Sequence, residues 1–493
     1  MADLKKYEFW FVTGSQHLYG EETLIQVKEH SEIIARALDK SQGIGGNVVF
    51  KGVVTTSSEI TRIMEEANFH KNCAGVITWM HTFSPSKMWI GGLSILNKPL
   101  LHFNTQFNRE IPWGEIDMDF MNLNQSAHGD REHGFIGARL RIPRKVSVGY
   151  WEDEEVHKTI GDWMRSAIGL GESRSLRLAR FGDNMREVAV TEGDKVEAQI
   201  KLGWSVNYHP VGDLVEYIDG VSDNEVADLA EEYRDLYDIN TPYMDSVNYQ
   251  ARIELGMTKF LEEGEFGAFT TTFEDLHGLR QLPGLAVQRL MAKGYGFGGE
   301  GDWKTSALTR VMKVMAAGLP GGTSFMEDYT YHLEKDNELI LGAHMLEVCP
   351  SIAAGKPTVE VHHLGIGNRE NPARMVFEGR EGDAILASLI DMGGRMRLIV
   401  NDVKAKSPLR DMPKLPVAGV MWKPMPSLKT SAEAWILAGG AHHTVMSYAL
   451  TAEHMRDFAE MAGIEFLHIN KDTDIVEFKK ELLWNDMVWK FNN

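Results

Sequence analysis

The chain is 493 residues long, 43% hydrophobic and 25% charged, ordinary proportions for a soluble globular protein, and at about 150 residues per domain it has room for roughly three domains. A formal net charge of −19 argues against sequence-independent binding to nucleic acid or to an anionic membrane surface, because both need Lys and Arg to neutralise phosphates. Only Cys73 and Cys349 are present, too few for a disulfide framework or a cysteine zinc site, and Met1 to Trp10 does not read as a leader peptide, so a cytoplasmic protein is expected.

Tyr7 to Val12 is an aromatic and β-branched run stopped by Thr13-Gly14-Ser15, a strand entering a loop. The following helix carries Leu24, Val27, Ile34 and Leu38 on one stripe and should end near Gly43. Val48 to Val54 is the next strand, and Thr56-Ser57-Ser58-Glu59 is a capping-box start for a helix through about Phe69. Ala74 to Met80 and Pro99 to Phe103 supply two more apolar strands. Strand and helix alternate, which predicts a parallel sheet covered on both faces. Such sheets bind ligands at the carboxyl ends of their strands, which draws attention to Gly14 to Gly20, where Gln16 and His17 can either meet hydroxyl groups or simply hold the loop.

A polar stretch from Gly169 to Ser175 precedes a new strand, Leu176 to Phe181, so a domain boundary is placed near residue 175. Beyond it, Val196 to Trp204 reads as a strand and Asn224 to Leu236 and Gln250 to Glu262 as helices, a second α/β unit. Pro283 to Lys293 suits a helix ended by Gly294, and Leu308, Val311, Met312 and Met315 mark another that ends at Gly318. Between them, Gly294 to Trp303 has five glycines in eight residues and an acidic residue near its tip. It reads as a loop that places one carboxylate. Gly294, Gly296 and Gly299 match G-x-G-x-x-G, but a helix precedes them where the dinucleotide motif needs a strand, and Trp303 occupies the position before Lys304 where a P-loop needs glycine.

After Gly321-Gly322 the strand-like runs Glu338 to Val348, Thr358 to His363, Met375 to Glu378, Met396 to Val400 and Ala418 to Met421 are separated by Gly, Asp, Asn or Pro. That spacing predicts a largely antiparallel sheet or barrel, followed by a helix from about Ala452 to Ala462 and a short tail with two tryptophans. The expected fold is therefore two parallel-sheet α/β domains, 1–175 and 176–322, and a mainly antiparallel, barrel-like C-terminal domain, 323–493.

Glu300 in the glycine loop, Glu327 after Gly-Gly-Thr-Ser, His344 in an apolar run and His442-His443 after Ala-Gly-Gly are the residues able to carry chemistry. Two carboxylates and two imidazoles suit a hard or borderline divalent cation. If Glu338 to Val348 is one regular strand, His344 and Glu347 point to opposite faces and at most one of them serves the site. The adjacent His442 and His443 should likewise diverge. Taken singly, a histidine in an apolar strand is more often a hydrogen-bonded core residue, and Glu327-Asp328 could simply begin a helix.

The runs Trp10 to Gly20, Arg180 to Arg186, Gly299 to Thr305, Gly321 to Tyr329, His344 to Ser351 and Trp435 to Val445 resemble the L-arabinose isomerase family, in order and over nearly the whole chain. The resemblance implies that Glu300, Glu327, His344 and His443 hold a divalent cation, usually Mn²⁺ with ions such as Co²⁺ as substitutes, and that the two glutamates also act as acid and base. It adds Gln16, Leu18, His128, Met185 and Phe273 to the substrate pocket. It further implies interconversion of L-arabinose and L-ribulose through a cis-enediol, D-galactose to D-tagatose as a side activity, and a homohexamer with sites shared between subunits. The rivals are an isomerase of another sugar, such as L-fucose, and a sugar-binding sensor without turnover.

Overall fold

The computed structural model describes residues 3–492; Met1 and Ala2, which head the segment expected not to be a leader, lie outside them. The chain forms two compact units, Asp3–Gly171 and the rest from Glu172 onward.

In the first unit β1 (Glu8–Gly14), β2 (Asn47–Val54), β3 (Cys73–Met80), β4 (Leu100–Asn104) and β5 (Lys145–Val148) form one sheet in the order β2-β1-β3-β4-β5, and every pairing is parallel. Every residue of β3 is buried, as in a strand covered on both faces. Helix Gly20–Lys40 buries Val27, Ile34 and Leu38 and stops short of Gly43. The capping box forms as expected, Thr56 and Glu59 closing the start of helix Ser57–Phe69. The chain leaves β1 for β2 on one side and returns to β3 on the other, so a crevice opens at the carboxyl end of β1. Ser15 Oγ and Thr82 Oγ1 join its two loops at 2.7 Å.

The second unit begins with a parallel sheet. Its strands are β6 (Arg177–Phe181), β7 (Ser205–His209), β9 (Ala268–Thr270) and β10 (Gly296–Gly298), in the order β10-β9-β6-β7, with a short β8 (Asp238–Ile239) elsewhere. The predicted strand Val196 to Trp204 is instead a helix, Lys195–Leu202. Asp194 caps its start by accepting from the N–H groups of Val196 and Glu197, and Gly203 ends it in the left-handed conformation. Ala198 and Leu202, four apart, are buried, while Val196 and Ile200 are exposed. The β-branched residues thus face solvent on a helix whose two ends are chemically specified.

The glycine-dense stretch also differs from a simple loop between helices, because Gly296 to Gly298 pair with β9. Its glycines serve packing: a Cβ on Gly296 would lie 2.2 Å from Ser306 O, and one on Gly298 2.5 Å from Asp302 O. They let helix Trp303–Met315 lie directly on β10.

The remaining strands are β11 (Thr323–His332), β12 (Leu339–Ala343), β13 (Thr358–Val361), β14 (Ala373–Val376), β15 (Gly382–Asp391), β16 (Met396–Lys406), β17 (Gly419–Pro424), β18 (His443–Ser447) and β19 (Glu465–Ile469). Seven of them form a sheet in the order β15-β18-β11-β12-β17-β16-β19, and β15 also pairs with β16. All its pairings are antiparallel except β16 with β19. β13 and β14 do not join it; β13 pairs with β14 on one side and β8 on the other. The tail with two tryptophans is an 18-residue helix, Ile475–Asn492. Among the described residues no helix is long and apolar enough to cross a membrane.

Candidate metal centre

Loops leaving the carboxyl ends of three parallel strands converge with the neighbouring strands β12, β11 and β18 of the antiparallel sheet. Met185 follows β6, Phe273 follows β9 and Glu300 follows β10. Across from them, strand register does the placing. Glu327 on β11 stands opposite His443 on β18 and Ala343 on β12, and side chains directly opposed in an antiparallel pair share one face. His344 comes immediately after Ala343, where β12 has ended.

The result is two overlapping sets of ligand atoms, each compact enough for one ion. One atom each from Glu300, His344 and His443 lie within 4.8 Å of one another, and so do one each from Glu327, His442 and His443. His443 Nε2 is 3.8 Å from Glu300 Oε2, and His344 Nε2 is 3.9 Å from Glu327 Oε2. His442 does not diverge from its neighbour as adjacent strand residues should, because β18 begins only at His443. Its Nε2 lies 3.6 Å from Glu300 Oε2.

Two further carboxylates, absent from the sequence-level set, orient the imidazoles. Asp302 Oδ2 accepts from His443 Nδ1 at 3.1 Å, and Glu347 Oε2 accepts from His344 Nδ1 at 2.5 Å. The expectation that His344 and Glu347 face apart fails because β12 stops at Ala343 and the chain turns, bringing the pair together. With each Nδ1 donating, each Nε2 presents its lone pair to the site, the tautomer a metal ligand needs. Asp302 is also the N-cap of helix Trp303–Met315, accepting from Thr305 N. An Asp just before a helical run is the signal available for it; nothing local in the sequence could show that its second oxygen meets a histidine 141 residues away.

The electrostatics agree. Burial would raise the Glu300 carboxyl, but the His442, His443 and His344 rings around it hold it below its usual value. Burial would lower His344, yet Glu347, Glu327 and Glu300 push it up. Burial likewise opposes ionisation of Asp302, and Lys304 and His443 overcome it, leaving a pKa of about 2. Asp328, beside the cluster, is pushed up to about 7 by burial and by Glu327. A field that raises the proton affinity of His344 would equally favour a divalent cation.

Two features show what the cluster is prepared for. His443 is fully buried and its Nε2 has no hydrogen-bond partner, a cost that persists in native proteins where a ligand supplies the missing contact. Glu300 holds a φ of +60°, a left-handed conformation that costs a non-glycine residue about 1–3 kcal/mol and concentrates at functional sites. Two carboxylates and two correctly oriented imidazoles fit a divalent cation.

Three family models match in succession: the L-arabinose isomerase N-terminal domain over residues 3–175, the central domain over 177–318 and the C-terminal domain over 322–465. The chain belongs to the L-arabinose isomerase family. A protein of that name from Geobacillus stearothermophilus is 66% identical over 99% of this chain and all of its own length. Its namesake from Tolumonas auensis is 60% identical over 99% of both chains, and the one from Thermotoga petrophila 59% over 99% of both.

Of the residues that likeness to the L-arabinose isomerases assigned to a substrate pocket, two lie beside this cluster. Met185 N donates to Glu300 O at 3.1 Å, and the Phe273 ring stacks parallel to His344, centroids 6.1 Å apart. Gln16, Leu18 and His128 are in the first unit, on a loop and a helix that Gln125 joins. Gln125 Nε2 donates to Tyr19 Oη at 3.0 Å, tying the Gln16–Gly20 loop to the helix of His128, and Gln125 Oε1 pairs with His128 Nδ1 at 3.2 Å. Phe83 stacks on His128 at 4.5 Å.

Proposed function

We propose that this chain interconverts L-arabinose and L-ribulose, a metal-dependent aldose-ketose isomerisation through a cis-enediol, with D-galactose to D-tagatose as a side activity. The observation that carries the reading is the buried, unpartnered His443 Nε2 facing Glu300, shared by two sets of ligand atoms, one with Glu300 and His344 and one with Glu327 and His442. Glu300, Glu327, His344 and His443 would hold the cation, Mn²⁺ or a substitute such as Co²⁺. When bound, it polarises the sugar carbonyl as a Lewis acid and so acidifies the C2 proton.

The rest is done by side chains of the chain. Glu300, whose carboxyl the surrounding histidine rings hold below its usual value, suits the base that takes the C2 proton and returns it to C1, and Glu327 serves the proton exchanged between the two oxygens. Asp302 and Glu347 keep the imidazole rings turned so that these carboxylates stay in register with the substrate. Met185 and Phe273 form an apolar wall for the open-chain sugar. D-galactose follows because it shares the hydroxyl configuration near the reacting carbons.

Gln16, Leu18 and His128 complete the pocket in our reading, contributed by a neighbouring subunit of a homohexamer. Leu18, 83% exposed, is the kind of side chain that such a neighbour would cover. Three domains, 1–175, 176–322 and 323–493, and closure of β15, β18, β11, β12, β17 and β16 into a barrel complete the proposed architecture, in a cytoplasmic enzyme. The test is removal of metal with a chelator and add-back of Mn²⁺, scoring ketose formed from L-arabinose. Activity should vanish and return; full activity without metal sinks the metal role, and a loaded protein that makes no ketose sinks the substrate. Light scattering after size exclusion tests the hexamer.

A further inference from the structure

Within Arg180–Arg186 only Met185 has so far been given a role, yet the residue before it is built into the turn that carries Glu300. Asn184 is 3% exposed and its side-chain amide is fully engaged. Nδ2 donates to Gly301 O at 3.1 Å and to Thr191 O at 2.6 Å. Oδ1 accepts from Arg180 Nη1 at 2.7 Å, and since a guanidinium can only donate, the orientation of the amide is unambiguous. The next N–H along the chain, that of Met185, donates to Glu300 O. Two successive residues of one loop therefore hold two successive carbonyls of the other.

Those carbonyls belong to residues whose backbone needs holding. Glu300 and Gly301 have φ of +60° and +77°, and Asp302 N closes the turn on Gly299 O at 2.8 Å; positive φ at both central positions is the mirror-image turn that non-glycine residues resist. Relaxing Glu300 to negative φ would rotate these peptide planes, pull the carbonyls off their donors and swing the carboxylate out of the cluster. The two loops are also locked by shape, since a Cβ on Gly301 would sit 2.6 Å from Asn184 Cα.

We propose that Asn184 is a positioning residue: its amide fixes the Glu300–Gly301 turn so that the Glu300 carboxylate is presented to His344 and His443 before cation or sugar arrives. The inference rests on Glu300 being a cation ligand and base, as proposed above.

The decisive variants are Asn184→Asp, which keeps the shape and the acceptor for Arg180 but sets an oxygen against two carbonyls it cannot donate to, and Asn184→Ala, which removes the amide without adding charge. Both are compared with the parent for Mn²⁺ affinity of the metal-stripped protein by titration calorimetry, for kcat and KM on L-arabinose, and for Tm. We expect Mn²⁺ binding weakened about 10- to 100-fold, the range for losing a group that orients a metal ligand, and kcat lowered with KM held within about threefold, the mark of an interaction that matters in the transition state. If Asn184→Asp does not fold, Asn184→Ala decides. A folded variant with lower Tm but the parent's Mn²⁺ affinity and kcat marks ordinary packing and overturns the proposal. A parent that binds Mn²⁺ without making ketose refutes the isomerase reading alone, leaving the affinity comparison intact; a parent that does neither overturns both.

Discussion

Two buried carboxylate-histidine clusters in this molecule use the same chemical groups to opposite ends. In the first unit, Asp130 on helix Ser126–Arg139 has a donor on each oxygen: His102 Nε2 at 2.8 Å and Met80 N at 3.3 Å on Oδ1, Asn104 Nδ2 at 2.7 Å on Oδ2. It pins the helix to β3 and β4. Around Glu300 the polar groups face one another across a gap: Glu300, Glu327 and the Nε2 atoms of His344 and His443 converge without meeting at hydrogen-bond distance. An orphaned nitrogen alone does not separate the two, because His133 Nδ1, near Asp130, also lacks a partner. Convergence does. Among the described residues the sets of three ligand atoms within range of one ion all include His443, and none includes Asp130. A satisfied polar cluster tells us how a helix is held; one that stays unsatisfied around a strained backbone tells us where a ligand belongs.

The contrast between the clusters breaks hardest at Glu300. Glu300→Gln keeps the shape and removes the proposed base, so kcat should fall by roughly 10²–10⁴, the usual worth of a general base. Near-normal turnover in a folded Glu300→Gln protein would end the acid-base assignment. Next in size is Asp302→Asn. An amide can still face His443 Nδ1, but offering its NH₂ would favour the tautomer with the proton on Nε2, the atom proposed to meet the cation; Mn²⁺ affinity should drop about 10- to 100-fold, read by calorimetry. Equal affinity in variant and parent would show that Asp302 serves only as a helix cap.

Asp130→Asn should behave in the opposite way. Replacing the carboxylate puts an amide where His102 or Asn104 donates, at a cost of about 1–3 kcal/mol for the mismatch. The expected readout is a lower Tm for the variant with kcat and Mn²⁺ affinity within about twofold of the parent, at a temperature where both are folded. A variant that loses Mn²⁺ affinity while keeping its Tm would erase the distinction between the two clusters.

How much of this is legible in the sequence follows the same division between local and tertiary causes. Four strands of the first sheet and the Thr56 capping box are readable because apolar runs and cap chemistry are written in consecutive residues, whereas the short β5 is not. The Lys195–Leu202 helix is not, since Val196, Ile200 and Trp204 suggest a strand until Asp194 and Gly203 are recognised as its two caps. β11 is hidden where Glu327-Asp328 looks like a helix start, and only the pairing of Glu327 with His443 reveals its direction. Composition points to Glu300, Glu327, His344 and the His442-His443 pair as candidates, and the family likeness chooses His443 from that pair. The structure adds that Asp302 and Glu347 stand behind the imidazoles. Those partners depend on where β12 ends and on which oxygen of a cap is left over, quantities set by packing rather than by spacing.

The smallest effect concerns pH. Burial pushes the Asp130 carboxyl above its ordinary value, although His102, Asn104 and Met80 pull it back. Because its folded-state pKa exceeds the unfolded one, the native protein binds this proton more tightly. Asp130 therefore contributes most to stability when protonated, below its unfolded pKa, and the contribution is lost as pH rises through the folded value. The amide in the Asp130→Asn variant cannot titrate, so the stability gap between parent and variant, read from Tm, should widen as the pH is lowered from 7 toward 4, by about 1.4 kcal/mol for each unit separating the two pKa values. A gap that narrows over that range would mean that the donors around Asp130 outweigh its burial, and that the carboxylate is held as tightly charged as the ones that face the metal site.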